Sequence, residues 1–124
     1  MRRLLAIVLG AVSLGGAVLA SAQTPAREAN ELGGVMILEY HKIDNPEGRW
    51  TRTPENFKRD LTRLWERGYR LVTLTDYLDG KMTLPAGTSP VILTFDDSSP
   101  GQFRYIQRGA EWVIGPECGL GILE

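Results

Sequence analysis

Two adjacent carboxylates, Asp96 and Asp97, directly follow the apolar, β-rich residues 91–95 of this 124-residue chain. Adjacent carboxylates repel each other unless a cation or a shared proton offsets their charges. One of them can ligate a metal ion while the other takes a proton from an attacking water molecule. Because residues 98–100 read Ser-Ser-Pro, an ordinary turn with a helix cap is an equally open interpretation.

His41 is the only histidine of the chain, and it follows Tyr40 just after the apolar residues 35–38. A lone histidine at the end of a strand is more often a structural hydrogen-bonding group than a ligand or a base. We nevertheless keep His41 as a candidate, because it is expected on the same edge of a sheet as Asp96 and Asp97.

The elements that must position these side chains alternate between strand and helix. Residues 35–38 predict a strand covered on both faces, residues 70–74 a second strand, and residues 91–95 a central, buried strand. A short helical turn is expected over 75–78. This order favours a parallel sheet with right-handed crossovers, whose carboxyl edge is where α/β folds place their sites.

A helix is predicted between the first two strands. Thr53 can cap it, Pro54 fits its first position and Gly68 is placed to end it. One apolar stripe is expected on it, consisting of Phe57, Leu61, Leu64 and Trp65. Further along, a short hairpin is expected around Gly109, and residues 116–124 resemble the first turns of a helix.

The N-terminus predicts export. Residues 1–22 combine two arginines, an apolar run and a final Ala-Ser-Ala, which indicates a cleaved signal peptide, although an uncleaved anchor is the alternative. We therefore expect a secreted, periplasmic or extracellular protein without stable membrane insertion. Residues 23–34 are predicted to be a flexible lead, and residues 35–124 form the domain.

Charge and cysteine content exclude some classes of protein. Beyond residue 22 the chain has 12 basic and 15 acidic side chains, so no basic stripe suited to nucleic acid is expected. Cys118 is the single cysteine, so an internal disulfide is excluded even in an oxidising compartment.

Four segments in order then resemble one known family. These are residues 37–43 ending in Tyr-His-Lys-Ile, residues 54–69 ending in Gly-Tyr, residues 71–78, and residues 92–97, Ile-Leu-Thr-Phe-Asp-Asp. Over residues 35–105 the chain resembles the polysaccharide deacetylases, the NodB-homology or carbohydrate esterase family 4 proteins, and especially their exported branch.

The resemblance implies a distorted (β/α) barrel that hydrolyses N- or O-acetyl groups on a sugar polymer such as an amino-sugar polysaccharide. It also implies a divalent metal ion held by one aspartate and two histidines, with zinc expected first and cobalt or nickel as alternatives. By position, Asp96 matches the catalytic base, Asp97 the metal ligand, and His41 a substrate-binding residue.

The chain departs from the family pattern in two places. Ser98 stands where the family usually has glycine, and no histidine follows Asp97 to complete the metal site. We therefore interpret residues 35–124 as the N-terminal part of an incomplete NodB-like domain, which is expected to have little or no activity alone.

Two other functions are alternatives to a deacetylase. A secreted, non-catalytic carbohydrate-binding or interaction module would use exposed aromatic side chains, although Trp65 is expected in the core. The aromatic candidates are Trp50, Trp65, Tyr69 and Trp112. A glycosidase is disfavoured, because its two carboxylates need roughly 5–9 Å between them.

Overall fold

The computed structural model describes residues 27–124, so the predicted signal peptide lies outside the described residues. The chain is mixed α/β, as predicted. The strands are β1 (Met36–Tyr40), β2 (Lys42–Ile43), β3 (Thr51–Arg52), β4 (Tyr69–Leu71), β5 (Ser89–Phe95), β6 (Tyr105–Arg108) and β7 (Glu111–Ile114), and the helices are α1 (Pro54–Glu66), α2 (Leu74–Leu78) and α3 (Gly119–Leu123). Within residues 27–124 the strands do not close into a barrel, and none of the helices is long and apolar enough to cross a membrane.

The main sheet is parallel and has the order β1-β5-β4, which confirms a buried central strand at 91–95. Val91 and Ile92 are almost completely buried. The expectation that residues 35–38 are covered on both faces is wrong, because β1 lies at the edge of the sheet and Ile37 is 53% exposed. The face that carries Val91 packs on α1, and Ile92, on the same face as Ile37, is buried as well, so the exposure of Ile37 reflects its position on an edge strand.

The predicted helix is confirmed as α1, but its apolar stripe is narrower than expected. The Thr53 hydroxyl accepts a hydrogen bond from the Asn56 N–H at 3.2 Å, and Phe57 is fully buried. Trp65 is 64% exposed, so its expected place in the core is wrong. Trp65 comes eight residues after Phe57 and is therefore rotated about 80° from it around the helix axis. The Arg70 guanidinium stacks on the Trp65 ring, with its Cζ atom 3.5 Å from the ring centroid.

The strand predicted over residues 70–74 is shorter than expected, because Thr73 caps a helix where the strand was expected to continue. β4 stops at Leu71, and the Thr73 hydroxyl accepts the Asp76 N–H at 3.0 Å to start α2 at Leu74. The predicted hairpin is confirmed: β6 and β7 pair antiparallel around Gly109, whose φ is 64°.

The described part of the predicted lead, residues 27–34, has neither helix nor strand. It is tied to the segment before β5 by hydrogen bonds. The Asn30 N–H donates to the Thr88 carbonyl at 2.9 Å, and the Glu31 carboxylate accepts the Leu84 N–H at 2.7 Å. These bonds hold residues 27–34 against the entry to the central strand.

A polar network joins the end of β1 to α1 and β3. The Arg52 guanidinium donates two hydrogen bonds to the Asp60 carboxylate, at 2.7 and 2.6 Å, and the Tyr40 hydroxyl donates to the same carboxylate at 3.2 Å. Burial raises the pKa of Tyr40 to about 12, with the charge of Asp60 and this hydrogen bond acting in the same direction.

We expect the chain to lose stability between about pH 10 and pH 12 through Tyr40. An unfolded tyrosine ionises near pH 10, whereas folded Tyr40 keeps its proton up to about pH 12. Rising pH therefore favours the unfolded chain across this interval, and the contribution is complete below pH 10. The measurement is the urea midpoint at pH 9 to 12 for the wild type and Tyr40→Phe. Equal slopes for both proteins would contradict the prediction.

Candidate functional site

The candidate site lies at the carboxyl edge of the parallel sheet. β1 and β5 are paired in a register that sets Tyr40 beside Phe95, so the next residue on each strand also falls side by side. The His41 Nε2 and the Asp96 Oδ2 are 3.8 Å apart, and the Asp96 N–H donates to the Tyr40 carbonyl at 2.9 Å. The sheet thus brings together two of the three residues that the sequence singled out.

Glu39 completes a cluster that sequence reasoning missed. One ligand atom each from Glu39, His41 and Asp96 lies within 4.8 Å of the others. Successive strand side chains alternate between faces, so Glu39 and His41 point to the same side of β1. Glu39 is paired with Thr94, two residues before Asp96, which puts Asp96 on that side as well. Alternation read backwards from His41 was the signal that could have identified Glu39.

A buried glutamine fixes the distance between the two strand ends. The Gln102 side-chain amide donates hydrogen bonds to the backbone carbonyls of both His41 and Asp96. Because Gln102 is buried, these bonds are shielded from competing water. The spacing of the imidazole and the carboxylate is therefore set by the backbone and by Gln102, which the sequence pattern did not identify.

Three aromatic rings lie under this edge, on the α1 side of the sheet. The ring centroids of Tyr40 and Phe57 are 4.8 Å apart in an edge-to-face arrangement. The Phe95 centroid lies 6.0 Å from each of them. The residues just before His41 and Asp96 are thus anchored in the core, while the candidate site faces the open side.

Asp97 is placed differently from Asp96. β5 ends at Phe95, and Asp97 has a φ of 71°, followed by Ser98 at 48°. The Asp97 N–H donates to the Asp96 Oδ1 at 2.8 Å, and Asp97 is not part of the Glu39, His41 and Asp96 cluster. Its role as a metal ligand stays a prediction. The alternative interpretation of this segment is confirmed for the turn, which Asp97 and Ser98 form, and is wrong for the helix cap, because β6 and not a helix follows.

A polar hollow of about 300 Å³ opens beside the cluster, and Glu39, His41 and Trp50 line it. The Trp50 ring lies 4.7 Å from the His41 ring and is 56% exposed, and the Arg49 guanidinium is 5.0 Å from the Trp50 centroid. Trp65 and Tyr69 line a separate apolar hollow between α1 and the sheet. The four aromatic candidates therefore do not form one binding platform.

The Glu39, His41 and Asp96 side chains can ligate a transition-metal ion, but they differ from the ligand set that the family resemblance implies. That set needs two histidines, and this chain has one. One imidazole with two carboxylates nevertheless suits zinc, cobalt or nickel, with coordination positions left for water. The residues that can hold such an ion are Glu39, His41 and Asp96, and Asp97 is the additional carboxylate that the resemblance names.

Comparison of the chain with protein-family models, with curated proteins and with solved structures found no match. The fold and the site define a mixed α/β chain with a carboxylate and histidine cluster at the carboxyl edge of a parallel sheet.

Proposed function

We propose that the chain is part of an exported, divalent-metal-dependent carbohydrate deacetylase, which removes N- or O-acetyl groups from a polysaccharide. The observation that carries the proposal is the meeting of His41 and Asp96 at the ends of neighbouring parallel strands. Each lies in a segment that resembles the same family, and the two segments are more than fifty residues apart in sequence.

The environment of Asp96 suits a base that acts on water. Its side chain is 61% exposed, so solvent reaches the carboxylate. The Oδ1 accepts the Asp97 N–H, which leaves the Oδ2 directed towards His41 and the open face. In the proposed reaction Asp96 takes a proton from the water that attacks the acetyl carbonyl. A divalent ion, when bound, lowers the pKa of that water molecule and polarises the acetyl carbonyl.

The hollow beside the cluster supports a carbohydrate as the bound group. Its volume of about 300 Å³ lies at the small end of the range for ligand sites. Trp50 offers an exposed ring for stacking on a sugar, and His41 lies next to that ring. In the proposed enzyme these two residues position the sugar while its acetyl group faces Asp96.

The same exposed Trp50 favours the second candidate function, a non-catalytic carbohydrate-binding module. The two candidates differ in turnover, because a binding module retains the polymer and releases no acetate. The 124-residue chain itself is expected to release little or no acetate, because its single histidine cannot supply the two imidazole ligands of the family site.

The test begins by sequencing the gene beyond the codon for Glu124 in all three frames. A His-x-x-x-His motif there would supply the two remaining ligands of the family site. The corresponding polypeptide is then assayed for acetate release from chitin oligosaccharide, peptidoglycan and acetylated xylan with Zn²⁺, Co²⁺ or Ni²⁺. A genuine stop codon without such a motif, or no acetate from any polymer, would overturn the proposal.

Asp96→Asn in that polypeptide is expected to lower kcat by roughly 10² to 10⁴-fold, the usual contribution of a general base. Glu111→Gln removes an exposed carboxylate from the distant β6–β7 hairpin and is the matched control. It should leave kcat within a factor of about two, since surface changes away from the site are nearly neutral. An Asp96→Asn variant with wild-type kcat would remove Asp96 from the proposed mechanism.

A further inference from the structure

We infer that Glu39, His41 and Asp96 form a divalent transition-metal site of their own, independent of Asp97. This assignment differs from the one that the family resemblance implies, in which Asp97 is the protein carboxylate on the metal. It rests on the packing of β1 against β5 and not on the deacetylase proposal, and in the ion-bound chain it gives Asp96 and His41 ligand roles in place of the base and sugar-positioning roles proposed above.

The distances suit ligands of a shared ion. At 3.8 Å, the His41 Nε2 and the Asp96 Oδ2 are too far apart for a good hydrogen bond. Two ligand atoms bound at about 2.1 Å to a tetrahedral ion lie roughly 3.4 Å apart, and a wider ligand angle increases that distance. The Glu39 carboxylate closes the set, with all three ligand atoms within 4.8 Å of one another.

The charges of the cluster are also compatible with a bound cation. Glu39 and Asp96 bring two carboxylates together on the open face of the sheet. Among the salt bridges of residues 27–124, Asp96 pairs only with His41, and Glu39 takes part in none. A divalent ion offsets the repulsion between the carboxylates, and the imidazole favours zinc, cobalt or nickel over magnesium or calcium.

The site is held in place before any ion binds. Gln102 joins the backbone carbonyls of His41 and Asp96, and the His41 side chain is only 18% exposed because it packs beside Trp50. The Asp97 N–H donates a hydrogen bond to the Asp96 Oδ1, so the Oδ2 is the oxygen directed at His41. Ligands that are already oriented lose less side-chain entropy on binding.

The experiment is a titration of the full 124-residue chain, purified without a histidine tag, with Co²⁺ and with Zn²⁺. Visible absorption reports the coordination of Co²⁺, and isothermal titration calorimetry gives the affinity for Zn²⁺. We expect one ion per chain. Replacing a supporting group around a metal ligand typically costs 10- to 100-fold in affinity, so Glu39→Gln, His41→Gln and Asp96→Asn should each weaken binding by at least about tenfold.

Two matched variants remove a carboxylate without removing a proposed ligand. They are Asp97→Asn, at a residue next to the site, and Glu111→Gln, at a residue on β7. We expect each to change the affinity by less than about threefold, because each removes a solvent-exposed charge that is screened by water and salt and does not contact the ion. Far-UV circular dichroism checks that every variant is folded. Glu39→Gln is the decisive ligand variant, because Glu39 is exposed and its replacement removes no contact in the core that could unfold the chain.

The inference is overturned if Asp97→Asn weakens binding as much as Asp96→Asn while Glu39→Gln has no effect, because the ion would then lie at the position implied by the family. It is also overturned if the wild type binds no Co²⁺ or if every variant binds equally. Loss of binding confined to Glu39→Gln, His41→Gln and Asp96→Asn supports it. These results do not depend on acetate release, so the metal site and the deacetylase proposal can fail separately.

Discussion

Replacement of Phe57 by alanine should lower the free energy of unfolding by about 3 to 5 kcal/mol, the usual cost of truncating a buried phenylalanine. Phe57 is fully buried and contacts the rings of both Tyr40 and Phe95. Its loss removes contacts under both strands that end at the candidate site. Because small domains are stable by only about 5 to 15 kcal/mol, this one change removes a large share of the free energy of unfolding.

The matched control for Phe57→Ala is Trp65→Ala on the same helix. Trp65 is larger but mostly exposed, and the Arg70 guanidinium stacks on its ring. Its truncation should cost only about 1 kcal/mol, in the range of an exposed cation–π contact. Urea denaturation followed by circular dichroism measures both values. A cost for Trp65→Ala equal to or above that of Phe57→Ala would contradict the packing described for α1.

Gly101→Ala should lower the free energy of unfolding by about 3 kcal/mol, at the upper end of the overpacking range. A Cβ atom at this position would lie 2.1 Å from the Ile43 carbonyl oxygen and 2.9 Å from its carbonyl carbon. Both residues are buried, so neither backbone segment can move into solvent. The Gly101 carbonyl also accepts the Gly119 N–H at 2.8 Å, which links the turn after Asp97 to α3.

Gly34→Ala is the control for Gly101→Ala, because a Cβ atom there meets nothing within 4 Å. We expect it to change stability by less than about 0.5 kcal/mol, as for ordinary surface substitutions. Urea midpoints give the stabilities of both variants. Gly101→Ala is also expected to weaken Co²⁺ binding, because the neighbouring Gln102 holds the His41 and Asp96 carbonyls. A Gly101→Ala chain as stable as the wild type would refute the close approach to Ile43.

Local patterns in the sequence were sufficient for the main elements. The helix start at Pro54 depends on Thr53 and on residues within one turn of it, so its cap can be read from a few neighbouring letters. The central strand at 91–95 is apolar on both faces, and the structure places it in the middle of the sheet. The order of these elements also predicted that His41 and Asp96 share one edge, which the pairing of β1 with β5 confirms.

The tertiary structure alone decided which side chains meet. Glu39 joins His41 and Asp96 because a one-to-one register aligns strands that are more than fifty residues apart, and no local pattern encodes that register. The positive φ of Asp97 separates it from Asp96, although the two residues are adjacent in sequence. Periodicity and capping act over a few residues and are visible in the sequence, whereas strand register and single backbone angles arise only when distant segments pack together.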